Sequence, residues 1–212
     1  MTNPSEPTPG PAPVPATHEW PLLSAAHDAL RRVVDAVPAD AWDAPTPCEA
    51  WTVAQVLQHA AGDQLGYAGV LTGSGFPSFD PFAPSGVLDG DPRAFLAPTL
   101  DASAAAFAAV APDDDAVAVP LPQGPLAAPV AVGACALDAA IHAWDIAVAT
   151  GQPSPVDDHL AERLHPVTLA IVEPLRGFAY APALPDPADG RSPLADLLRY
   201  LGRDPGWSPR TW

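Results

Sequence analysis

The segment from about Val132 to Thr150, VGACALDAAIHAWDIAVAT, reads as a helix with no water-facing side. Apart from the Cys135 thiol, its ionisable side chains are Asp138, His142 and Asp145. At about 100° per residue, Cys135, Asp138, His142, Asp145 and Ala149 share one stripe roughly 80° wide. Leu137, Ile141, Trp144 and Val148 form a second, wholly apolar stripe, and the remaining arc is mostly alanine. A helix that is apolar all round belongs in an interior. Two carboxylates and an imidazole buried together are costly unless they pair or coordinate a metal ion. A chain holding this helix must therefore wrap other elements around it and build a polar site inside.

The chain is 212 residues long, enough for one domain with a sizeable core or at most two small ones. Its formal charge is −16, from nine arginines and no lysine against 25 acids. Such a chain is repelled by phosphate backbones and anionic lipid, so neither nucleic acid nor a membrane surface is an expected partner. No apolar run approaches the roughly 18 residues of a spanning helix, and none is expected. A basic region followed by an apolar run is missing at the N-terminus, so no signal peptide is expected either. Cys48 and Cys135 are too few for a disulfide framework, and a reducing cytoplasm is the expected location.

Thirty prolines cluster rather than spread. Residues 1–17 are expected to be a disordered, Pro-rich lead-in, followed by one domain over 18–212. Two further loop-rich stretches run from Gly73 to about Ala97 and from Pro182 to Pro193. Helical spacing of Leu22, Leu23, Ala26, Leu30, Val33 and Val34 predicts a first helix over about His18–Val37. A second begins at Thr52, where Thr52 and Gln55 form a capping box, and runs to about Leu71. A third is expected over about Pro98–Val110, with Pro98 in its first turn. The helix bearing His142 is the fourth. Two more are expected, from Asp157 to about Leu175 and from Pro193 to Leu201, the latter stopped by Gly202 and Pro205. A short hairpin is expected between Val117–Pro120 and Leu126–Val130 around Gln123-Gly124. The chain reads as all-α: a four-helix bundle with a short C-terminal helical appendage.

In the second helix, Val53, Val56, Leu57 and Ala60 make the apolar face, with His59 beside it and Asp63 one turn later. His59 projecting towards Asp138 and His142 completes a His/Asp/His set on two neighbouring helices. The i, i+4 spacing of Asp138 and His142 lets both reach one ion. Three protein ligands leave an open position, the pattern of a catalytic rather than a structural zinc site. Asp145 or Asp63 is placed to orient a ligating imidazole through its other nitrogen. Cys135 is either a fourth ligand or a lining residue, and lining is the simpler reading. Cys48 is expected to be a packed, inert thiol. Arg203 is expected to pair with Asp204, closing the C-terminus onto the bundle. Trp20, Trp42, Trp51 and Trp144 are expected core anchors, with Trp51 and Trp144 also flanking the ligand helices.

Three motifs carry a family resemblance. Pro45-Thr46-Pro47-Cys48-x-x-Trp51-Thr52-Val53, followed by His59, resembles the N-terminal signature of the mycothiol-dependent maleylpyruvate isomerase family. The run from Ile141 through His142-Ala143-Trp144-Asp145 to Thr150-Gly151 resembles its second hallmark. Leu201-Gly202-Arg203-Asp204-Pro205-Gly206-Trp207 resembles the C-terminal hallmark of a short, single-domain actinobacterial subgroup. The resemblance implies a DinB-like, metal-binding four-helix bundle. By position, the family's metal ligands fall on His59, Asp138 and His142, with Asp138 standing where the family has glutamate. The full-length isomerase carries a separate C-terminal domain that helps hold its thiol. Only about sixty residues follow Gly151 here, and that domain is expected to be absent.

An open zinc position turns a neutral thiol into a thiolate near neutral pH. With the family resemblance, the expected activity is metal-dependent use of a low-molecular-weight thiol such as mycothiol on a small electrophilic substrate; a metal-bound hydroxide would instead give hydrolysis. Addition followed by release is isomerase chemistry; retention of the thiol is S-transferase chemistry. The rival readings are a non-catalytic metal- or ligand-binding module and a recruited enzyme of specialised metabolism. A monomer or a homodimer is consistent with the sequence.

Overall fold

The computed structural model describes residues 17–186 and 191–209. The lead-in expected over residues 1–17 therefore lies outside the described residues, save Thr17. Among these residues six α-helices follow in order: α1 (Pro21–Asp35), α2 (Val53–Thr72), α3 (Pro92–Ala108), α4 (Ala128–Ala149), α5 (Asp158–Ile171) and α6 (Pro193–Tyr200). A 3₁₀ turn spans Glu173–Leu175. Among the described residues, β-pairing is confined to isolated bridges.

Helices α1 to α4 close a four-helix ring: α1 packs on α4 and α3, and α2 packs on α3 and α4. Helix α5 lies against α4, with α6 against α5. Helix α4 thus has neighbours on every side. From Ala131 to Ala149 all its residues are buried except Asp138 and Val148, which are half-buried. Its length and hydropathy would suit a membrane span, but its most apolar 18-residue window is 89% buried inside the bundle. Protein, not lipid, is its solvent.

Helix starts follow their caps. Thr52 and Gln55 make the expected capping box, with Gln55 N donating to Thr52 Oγ1 at 3.4 Å and Thr52 N to Gln55 Oε1 at 2.9 Å. Helix α3 begins six residues before the expected Pro98, because Asp91 accepts from Arg93 N at 3.0 Å and Pro92 occupies the first turn. Pro98 sits inside the helix. Helix α4 starts at Ala128, one turn early, so the expected hairpin shrinks to the Val117–Leu126 bridge. Helix α5 stops at Ile171, before Pro174, leaving Glu173–Leu175 as a tighter turn.

One polar layer interrupts the core. Gln64 of α2 accepts at Oε1 from Ser103 Oγ of α3 (2.7 Å) and Cys135 Sγ of α4 (3.0 Å), and lies 2.8 Å from Nε2 of His27 of α1. Its Nε2 donates to the Cys135 carbonyl at 3.2 Å. Each helix of the ring supplies one buried member, so the layer ties helix register to satisfied hydrogen bonds. Cys135 is used here.

Burial pushes the His27 imidazole down from 6.5 to about 4, a shift the Gln64 hydrogen bond only partly offsets. Above pH 6.5 the ring is neutral folded or unfolded. Between there and about 4 the unfolded chain takes up the proton first, so stability falls as the pH falls. Below about 4 both states carry the proton and the loss levels out. We expect urea unfolding across this range to show up to about 3 kcal/mol of loss that His27→Gln abolishes.

Candidate metal centre

The centre forms where α2 and α4 meet. His59 projects from α2 and Asp138 and His142 from α4. One ligand atom from each lies within 4.8 Å of the other two. The two imidazoles stand edge to face, with centroids 4.8 Å apart. His142 Nε2 is 3.4 Å from Asp138 Oδ1, the contact that the i, i+4 spacing allows.

Each imidazole is oriented through its other nitrogen. His142 Nδ1 lies 3.0 Å from Asp145 Oδ2, one turn along the same helix. His59 Nδ1 lies 2.9 Å from the Pro81 carbonyl, to which it donates, leaving Nε2 facing the centre. Pro81 belongs to the loop between α2 and α3, which Gln55 and Gln58 also hold, through the Pro84 and Val87 carbonyls. Gly62 makes this approach possible: a Cβ there would stand 2.5 Å from Pro81 Cβ. Asp63 stands on the other side of the ring, with Oδ2 3.6 Å from His59 Nε2. The orienting position on His59 thus belongs to a backbone carbonyl, a group with no signature in sequence.

Arg203 reaches the centre from the turn after α6. Its Nε and Nη2 donate to Asp145 Oδ1 and Oδ2, each at 2.8 Å, a bidentate pair on a fully buried carboxylate. Arg203 Nη2 also lies 3.6 Å from Cys48 Sγ, which donates to Asp145 Oδ2 at 3.3 Å. The expected Arg203–Asp204 pair is therefore replaced. Asp204 Oδ1 instead accepts from Gly206 N at 2.9 Å, and the stronger demand for a cation comes from Asp145 in the interior.

Electrostatics separate the two histidines. Burial pushes His59 down to about 4, with the neighbouring His142 adding to the effect, so this ring is neutral with a free lone pair. Burial also opposes a charge on His142, but the facing Asp138 and the bonds to Asp138, Asp145 and Cys48 outweigh it and raise its pKa. Asp145 would rise on burial, yet Arg203 holds it well below the usual carboxylate range. Burial and the neighbouring Asp138 push Asp63 up.

Among the described residues, two cysteine, histidine and acid groupings could hold an ion, and both include His142. The first, Cys48 with His142 and Asp145, is already satisfied because both Asp145 oxygens accept from Arg203. The second, His59 with Asp138 and His142, has spare capacity. Asp138 Oδ2 is buried and accepts from no N–H, S–H or hydroxyl donor among the described residues; only a proton on the neighbouring Asp63 carboxyl could serve it. An orphaned carboxylate oxygen beside two imidazoles is a donor set that fits a divalent cation of zinc type. The centre is not sealed: the side chains of His59, Asp138 and Asp63 keep 11%, 13% and 24% of their exposure.

Removing Arg203 would leave Asp145 as an unpaired buried charge. We expect Arg203→Met to cost roughly 3–5 kcal/mol in urea unfolding. Adding Asp145→Asn should recover most of that, because the uncompensated charge then disappears.

Residues 23–147 match the family model described as the mycothiol maleylpyruvate isomerase N-terminal domain. Two curated relatives are the uncharacterised proteins MT0763 and Rv0738 of Mycobacterium tuberculosis, from strains CDC 1551 / Oshkosh and H37Rv. Each is 31% identical over 181 residues, covering 84% of this chain and 93% of the relative. No solved structure matches. The matched region runs from α1 into α4 and carries His59, Asp138 and His142. The chain belongs to the family of the mycothiol maleylpyruvate isomerase N-terminal domain.

Proposed function

We propose that this chain is a divalent-metal-dependent enzyme in which His59, Asp138 and His142 hold the ion, most simply zinc. It uses a low-molecular-weight thiol of the mycothiol type on a small electrophilic substrate, by isomerisation or conjugation, in the cytoplasm. The observation that carries this reading is the orphaned Asp138 Oδ2 beside two oriented imidazoles at a solvent-reachable end of the cluster. Family membership supports it.

A bound zinc ion supplies Lewis acidity that turns a thiol into a thiolate at neutral pH. The protein's part is to present and shape that position. The neutral His59 offers Nε2 because Pro81 holds Nδ1. Asp145 fixes the His142 ring and strengthens it as a donor, while Arg203 keeps Asp145 ionised. Without an ion, protonated His142 faces Asp138 through Nε2 and Asp145 through Nδ1, and both carboxylates raise its pKa above the ordinary imidazole value. Binding an ion would displace the Nε2 proton, so apparent affinity should rise with pH up to that raised value.

A second reading, a closed structural site, draws on Asp63, whose Oδ2 lies 3.6 Å from His59 Nε2. It predicts no free position for a thiol. Monomer and homodimer are both compatible with the proposal.

Elemental mass spectrometry of untagged protein should find about one equivalent of divalent metal in the wild type, and almost none in His59→Ala or His142→Ala. Asp145→Asn should weaken zinc about 10- to 100-fold. In the cobalt-loaded protein, a small thiol should shift the visible spectrum if a position is open, and leave it unchanged if Asp63 closes the site. A wild type that takes up no metal after reconstitution would sink the proposal.

A further inference from the structure

Two loops distant in sequence place exposed aromatic rings in a row that starts at the metal centre. Trp51, half-buried, lies 4.6 Å from His59 between ring centroids. Phe82 meets His59 edge to face at 5.6 Å, and Phe178 packs against Phe82 at 5.8 Å with the rings tilted by 44°. Phe82 is 56% exposed and Phe178 74% exposed; Phe76 is 73% exposed too, so what sets this pair apart is that the two rings meet each other beside His59. Contiguous exposed apolar surface next to a polar centre is the kind a ligand covers.

Both loops are held in place. The Phe82 loop is pinned to α2 through the Pro81, Pro84 and Val87 carbonyls. The Phe178 loop is tied by Arg176, which donates to the Ala181 carbonyl at 2.8 Å and the Tyr200 carbonyl at 3.0 Å. The positions of both rings are therefore fixed by hydrogen bonds to backbone carbonyls.

Charge narrows the ligand further. The guanidinium at the centre, Arg203, is engaged by Asp145 and Cys48. Asp138 faces the same space, in a chain of net charge −16. A second carboxylate on a substrate would find no free cation there.

We propose that the substrate of this site has one metal-seeking head group and an apolar, aromatic-type body that lies against Phe82 and Phe178, and that dianionic substrates are disfavoured. This rests on the metal reading above.

The test uses three hydroxamates with one head group: acetohydroxamate, benzohydroxamate and succinic monohydroxamate. Each is titrated into the cobalt-loaded protein, followed by the visible spectrum and by tryptophan fluorescence. Benzohydroxamate should bind on the order of tenfold more tightly than acetohydroxamate, and succinic monohydroxamate most weakly. In the Phe82→Ala/Phe178→Ala variant, the benzohydroxamate to acetohydroxamate ratio should fall towards one. Both rings are largely exposed, so circular dichroism should show the fold retained. Equal binding of the two uncharged-tail probes overturns the proposal. So does a preference that survives in the double variant, or tightest binding of the succinic probe. A protein that takes up no cobalt removes the metal reading and this proposal with it. A cobalt spectrum that responds alike to all three probes overturns the role of these two rings alone.

Discussion

A carboxylate with no access to water has to be neutralised inside the protein, and Asp145 on α4 is such a group. The bidentate Arg203 pair does this, and it has three consequences at once. It closes the C-terminal turn onto the bundle across 58 positions of sequence. It keeps Asp145 ionised, so that Oδ2 stays an acceptor for His142 Nδ1. And it consumes the positive charge that would otherwise serve a ligand. A buried ion pair is seldom worth much in stability against a well-packed apolar alternative. Its retention here is explained by what it orients.

The bundle holds two polar clusters, and they differ in completeness. The layer of His27, Gln64, Ser103 and Cys135 is buried and satisfied within itself. It specifies how the four helices sit. The cluster of His59, Asp138 and His142 is left with an unpaired oxygen and partial solvent access. A complete network rigidifies; an incomplete one beside an opening has capacity for a ligand. The two lie on one helix face of α4, where Cys135 turns to Gln64 and Asp138, one turn along, turns to the centre. That division explains why Cys135 shares the stripe without joining the His59 set.

The buried course of α4 was legible because periodicity and composition are local properties. A 19-residue run with three ionisable groups admits few environments. The pairing of His59 with Asp138 and His142 was legible for a similar reason, since polar side chains on a buried helix must find polar partners on a neighbouring one. Boundaries were less so. Proline is ambiguous: Pro92 opens α3 while Pro98 is carried inside it, and the deciding signal was the Asp91 cap. The Arg203 assignment went to the adjacent Asp204 because sequence proximity says nothing about which carboxylate is desolvated.

What the sequence determined by itself was the all-helical class, the buried central helix and the residue types that meet around His142. These follow from helical period and from the cost of burying charge. Only the tertiary structure decided that Pro81 would orient His59, that Arg203 would serve Asp145, and that Phe82 and Phe178 would meet beside the centre. Each of those is a contact between distant segments, and one partner is a backbone carbonyl that every residue carries. Such choices are made by loop closure and packing, which leave no periodic mark on the chain.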